Sequence, residues 1–106
     1  MFAFNKAIKE KPCGEGVTRK ILGMGGKMMM VEVTFIKGAV GVPHRHFHEQ
    51  VSYIAGGSFE FVIEGERQIV QQGDSIYIPA NAEHGCQALE DSIIVDVFTP
   101  QRDDFL

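Results

Sequence analysis

Residues 38–57 read GAVGVPHRHFHEQVSYIAGG, from Gly38 to Gly57, and hold His44, His46 and His48, three of the four histidines in the chain. If Val42 to Phe47 is extended, side chains two apart share a face. His44 and His46 then point one way, and Arg45 and Phe47 the other. Gln50 keeps the parity of His46, whereas a regular strand turns Glu49 away. His48 keeps that parity too and competes with Gln50 for a ligand position. Its other reading is support behind the ligands or an exposed imidazole. The remaining histidine, His84, lies in a second Gly/Pro-punctuated segment and closes the site from elsewhere. Imidazole and oxygen donors suit first-row divalent metals. Three neutral imidazoles and a neutral amide leave the metal charge uncompensated, so the centre acts as a Lewis acid and attracts anions.

Outward from this stretch the chain reads as short strands between turns. Met28–Ile36 is a β-rich run ending at Lys37-Gly38. Val51–Ala55 is followed by Gly56-Gly57, a hairpin signal. Ser58–Ile63 alternates, with Phe59, Phe61 and Ile63 on one face, and turns at Glu64-Gly65-Glu66. Arg67–Gln71, Ser75–Ile78 and Ile93–Phe98 complete the set, with Gln72-Gly73-Asp74, Pro79 and Thr99-Pro100 as breaks. Evenly spaced short strands with Gly-rich turns predict an all-β antiparallel sandwich or barrel. Asn5–Glu10 is expected to form at most one helical turn. Residues 1–16 read as a loosely held arm, and the tail ends in Phe105-Leu106, which is expected to pack back.

At 106 residues the chain is one domain, 1–106, with room for a single core. A net charge of -4, with Lys and Arg scattered, gives no footprint for nucleic acid. No run approaches the length of a membrane span or a signal peptide, so a cytoplasmic protein is expected. Two cysteines, Cys13 and Cys86, are too few for a disulfide framework, and reduced thiols are the default. Cys86 lies two residues past His84 and is read as a small buried hydrophobe. Exposed strand edges and a β-prone N-terminal arm favour a homodimer.

Gly38-x5-His44-x-His46-x3-Gln50-x6-Gly57 resembles the first motif of the cupins, with Gln50 where many cupins place Glu. Gly73-x5-Pro79-x-Asn81-x2-His84 resembles the second, with Asn81 and Ala88 replacing the usual Gly and Asn. Both motifs fall within residues 38–88. The resemblance implies a double-stranded β-helix, the antiparallel cupin jelly roll, with a metal inside the barrel. A narrower resemblance joins the run His44 to Tyr53 and the ending Asp96 to Leu106 to small cupins of the pectin degradation type. Those proteins convert unsaturated cyclic uronates from pectin or alginate breakdown into linear keto sugars. The likeness implies a metal held by His44, His46, Gln50 and His84. It also implies Asp96 as the working acid or base, Phe98 as its aromatic neighbour and Arg102 as the carboxylate-binding arginine.

The last strand offers a physical check. Ile94, Asp96 and Phe98 share a face, so Asp96 interrupts an apolar run. A carboxylate there costs heavily unless it is paired or near a metal; otherwise it faces solvent on an edge strand. Tyr53 and Tyr77 are candidates to line the barrel mouth or fill it. The leading expectation is therefore an enzyme with one divalent transition metal per chain (Ni, Zn, Fe or Mn) and a small acidic sugar substrate. The rivals are a cupin dioxygenase, which the neutral donor set disfavours, another small metal-binding cupin, and a sugar-binding cupin without turnover. Fold alone does not separate them.

Overall fold

The computed structural model describes residues 1–106, folded as ten strands in two antiparallel sheets. The strands are β1 (Lys11–Gly14), β2 (Val17–Gly25), β3 (Met28–Phe35), β4 (Val40–His44), β5 (Glu49–Gly56), β6 (Ser58–Ile63), β7 (Glu66–Gln71), β8 (Ser75–Ile78), β9 (His84–Ala88) and β10 (Ser92–Thr99). One sheet has the order β1-β2-β3-β10-β5-β8, and the other β4-β9-β6-β7. Short 3-10 turns, Asn5–Ala7 and Asp103–Phe105, flank the strands. No helix is long and apolar enough to cross a membrane.

Period-two alternation sorts the side chains. Met29, Val31 and Phe35 of β3, Phe59 and Phe61 of β6, and Ile94 and Phe98 of β10 are buried between the sheets. The main core gathers Val17, Phe35, Ile54, Phe59, Phe61, Ile78 and Ile94, with Phe35 and Phe59 edge to face at 5.0 Å. Each such side chain contributes roughly 1.5–3 kcal/mol through burial. A second, smaller cluster holds Met29, Val31 and Phe98. On β10 and β2 the inward positions between the two clusters are charged, Asp96 between Ile94 and Phe98 and Arg19 between Val17 and Ile21, whereas β3 places Val33 there.

One turn differs from the sequence reading. Glu64-Gly65 does close a hairpin, with Ile63 opposite Glu66 and both turn residues at positive φ. Gly56-Gly57 does not: β5 pairs with β10 and β8, and β6 with β7 and β9, so the chain crosses from one sheet to the other. Gly57 takes φ 76°, and a Cβ on it would lie 2.0 Å from Ser92 Oγ. The signal was right about glycine and wrong about which strands it joins. Within the expected N-terminal arm, Lys11–Gly14 pairs with β2 as an edge strand. Further back, Lys20 Nζ donates to Asn5, whose amide donates to Glu32. At the other end Phe105 packs on Phe98 at 5.8 Å, while Leu106 stays exposed. Tyr53 and Tyr77 are exposed on the outer face of the larger sheet and do not line the barrel.

Candidate metal centre

His44 ends β4 and stands opposite His84 on β9. Close approach of these two strands needs Gly85, since a Cβ there would meet Pro43 Cγ at 2.9 Å and Gly41 O at 3.0 Å. His46 follows in the connection to β5. The ring centroids lie 4.5 Å apart for His44–His84, 5.0 Å for His46–His84 and 5.4 Å for His44–His46. One ligand atom from each of these histidines falls within 4.8 Å of the others.

The chain does not run as one extended strand from Val42 to Gln50. It bends at Phe47-His48, where it passes from the smaller sheet to the larger. The bend takes His48 out of the cluster: its buried ring stacks on Phe47 at 4.0 Å. Its carbonyl supports the site instead, accepting from His46 Nδ1 at 3.0 Å. Glu49 is exposed and accepts from Tyr77 Oη at 2.6 Å. Gln50, on β5, is the one that faces inward.

Each clustered ring is oriented by backbone. His44 Nδ1 faces Val42 O at 2.9 Å, and His84 Nδ1 faces Ala82 O at 2.9 Å. A carbonyl only accepts, so Nδ1 carries the proton in all three rings and the Nε2 lone pairs are free. His84 Nε2 is buried without a partner. Gln50 Nε2 donates to Ser52 Oγ at 2.9 Å and to Asp96 Oδ1 at 3.1 Å, which turns Oε1 toward His46 Nε2 at 3.0 Å. Two acceptors then face one another, an arrangement that a cation between them satisfies. Burial pulls His46 below its ordinary value and His84 down to about 4, so both are neutral near pH 7, as ligation requires. Three neutral imidazoles and an amide oxygen fit a borderline divalent metal.

Asp96 is drawn into the same network by strand register. It stands opposite Ser52, and Phe98 stands opposite Gln50. Ser52 Oγ donates to Asp96 Oδ1 at 2.6 Å. Burial lifts the carboxyl from 3.8 to about 6, while the bonds from Ser52 and Gln50 and the charges of Arg102 and His44 pull it down. Phe98 is buried, with its ring 5.7 Å from that of His46. After a cis Thr99–Pro100 peptide the chain turns Arg102 back inside, where it is 8% exposed. Its guanidinium lies 5.0 Å from the Phe98 centroid and pairs bidentately with Asp104 at 3.0 and 2.8 Å.

These residues border a cavity of about 900 Å³ that includes His44, His84, Gln50, Asp96, Phe98 and Arg102. Cys86 also lines it, as a half-buried free thiol whose pKa burial pushes up to about 12. Exposed Cys13 lines it as well. Arg19 and Ser52 were missed from sequence. Arg19 breaks the inward apolar stripe Val17–Arg19–Ile21, the same kind of signal that marked Asp96, whereas Ser52 follows polar Gln50 and interrupts no apolar run.

Comparison with known proteins agrees with this architecture. Residues 31–98 match the Cupin domain family. The chain is 48% identical over 95 residues to the pectin degradation protein KdgF of Dickeya dadantii (strain 3937), covering 88% of this chain and 86% of that protein. The structure of KdgF from Halomonas sp. superposes with a TM-score of 0.96 at 40% identity, over 100% of this chain and 98% of that one. An RmlC-like cupin from Shewanella frigidimarina NCIMB 400 superposes with a TM-score of 0.95 at 35% identity, over 99% and 95%.

Proposed function

The chain belongs to the cupin family, and from that premise we propose that it works in pectin degradation, opening unsaturated cyclic uronates to linear keto sugars. One observation carries the chemistry. The carboxyl of Asp96 lies in the cavity beside an amide whose oxygen faces the histidine cluster. The 48% identity to a pectin degradation protein supports the substrate class.

Ring opening of such a sugar is an isomerisation. The anomeric hydroxyl loses its proton, the bond between the anomeric carbon and the ring oxygen breaks, and the vinyl carbon gains a proton. One proton leaves and one arrives, so atoms balance without an oxidant. His44, His46, His84 and Gln50 would hold a divalent ion, which would supply Lewis acidity when bound. Asp96 is the group in the cavity wall placed to take up and deliver protons, and Ser52 and Gln50 hold it in one orientation. Arg102 offers a guanidinium to the substrate carboxylate. Phe98 walls the site and excludes water.

The ion is one first-row divalent metal per chain, with Ni, Zn, Fe and Mn as candidates. The working unit is a homodimer. An outward apolar row, Met30–Val97–Val51–Tyr77, crosses the larger sheet in register and supports this. The test of function is the loss of the unsaturated uronate's ultraviolet absorbance, with substrate released by a pectate or alginate lyase. Wild type should outpace buffer by orders of magnitude and should slow on chelation. A wild type no faster than buffer on every unsaturated uronate tried refutes the reading.

A further inference from the structure

Arg19 has no counterion. It sits on β2 opposite Val33, at an inward position between Val17 and Ile21, and lines the same cavity as Asp96 and Arg102. It makes no ion pair, and its buried Nε has no hydrogen-bond partner. Its guanidinium carbon lies 3.8 Å from the centroid of Phe105, and that of Arg102 lies 4.2 Å from the same ring. The two arginines differ in their remaining capacity. Arg102 has spent Nε and one terminal nitrogen on Asp104, which also balances its charge. Arg19 keeps its full charge and all its donors.

An unpaired guanidinium at an inward strand position is expensive unless something anionic meets it. Stacking on Phe105 fixes the plane of the group without using its N–H donors. What remains is a planar fork of the shape that takes a carboxylate bidentately. Arg19 shares the lining of one cavity with His44, His84, Asp96 and Arg102.

We infer that Arg19 is a second carboxylate-binding residue of this cavity, held by Phe105, and that it selects a mono-anionic sugar acid over the neutral sugar of the same shape. This rests on the uronate reading above but adds a residue and a selectivity to it. Arg102, held by Asp104, serves the site as a pre-paired donor. Arg19 supplies the uncompensated charge that the substrate's carboxylate cancels.

The probe is a stable pair of ligands, D-galacturonate and its neutral counterpart D-galactose, titrated calorimetrically into metal-loaded protein. Wild type should prefer the acid by at least about tenfold. Arg19→Met keeps a long stem against Phe105 and removes the charge; Arg19→Lys keeps the charge and loses the fork. A charge-assisted hydrogen bond is worth roughly 10- to 100-fold. Arg19→Met should therefore lose most of the preference through weaker galacturonate binding, and Arg19→Lys should keep part of it. Metal content and melting temperature are measured alongside. If Arg19 only clasps the C-terminal turn, Arg19→Met lowers the melting temperature and leaves the preference intact, which overturns the proposal. A wild type that binds both sugars equally overturns it too. Turnover separates the two claims. Galacturonate selectivity without turnover of unsaturated uronates removes the enzyme reading and leaves Arg19 standing. Wild-type turnover with an unchanged KM in Arg19→Met does the reverse.

Discussion

Asp96→Asn separates the two things this carboxyl does, because its effects on stability and on rate have opposite signs. An acid whose pKa is higher in the folded chain binds its proton more tightly there. Stability therefore falls as pH climbs from 3.8 to about 6 and levels off above. At about 1.4 kcal/mol per pH unit, the ionised carboxyl costs the metal-free fold about 3 kcal/mol at pH 7. An asparagine whose Oδ1 keeps the bonds from Ser52 and Gln50 avoids that cost. Urea titration of chelated protein at pH 7.5 should show Asp96→Asn more stable than wild type, by up to about 3 kcal/mol. At pH 4 the two curves should converge. The same substitution removes the proposed proton carrier, so ring opening should slow by about 10²–10⁴-fold. An Asp96→Asn protein that works at wild-type speed, or that is less stable than wild type at pH 7.5, refutes this account of the carboxyl.

Elemental analysis of His46→Ala should find reduced metal, while His48→Ala, whose side chain lies outside the cluster, should keep more; full occupancy in a His44/His46 double alanine variant would exclude the site. Gln50→Glu should retain or raise metal affinity by titration calorimetry yet lower turnover, because the added charge weakens the Lewis acid and sets a second carboxyl against Asp96 in place of a donor. Level affinity and level activity would remove Gln50 from the ligand set. Gly57→Ala should cost more than about 1 kcal/mol by urea unfolding, since it adds a left-handed strain to a contact of 2.0 Å with Ser92 Oγ; a neutral result would mean that the crossing between sheets relaxes freely.

Much of this site was readable because the barrel obeys a period of two. Parity put His44 and His46 together, and within β5 alone it turns Gln50 inward and Glu49 out to Tyr77. It also made Asp96 stand out between Ile94 and Phe98. Parity failed where the chain bends. His48 keeps the right count, but the turn at Phe47-His48 spends it on stacking and on a carbonyl for His46. Gly56-Gly57 failed similarly, because a glycine pair marks a reversal without saying whether the next strand returns to the same sheet. Ser52 could not be found by composition. Its role comes from standing opposite Asp96, a register set by long-range pairing between β5 and β10. Arg19 lay in a strand that the sequence reading left unassigned, so its inward parity went unread.

The candidate ligands span both sheets, because His44 and His84 belong to the smaller and Gln50 to the larger. An ion held among them is a cross-link between the two halves of the sandwich. Linkage then ties the lifetime of the fold to the ion's supply, with each tenfold rise in free metal above its dissociation constant adding about 1.4 kcal/mol. The increment is trimmed by the His44-Arg45-His46-Phe47-His48 run, which retains some affinity for the ion in an unfolded chain. A chain without the proposed ion would lose this cross-link and the stability that comes with it in one step.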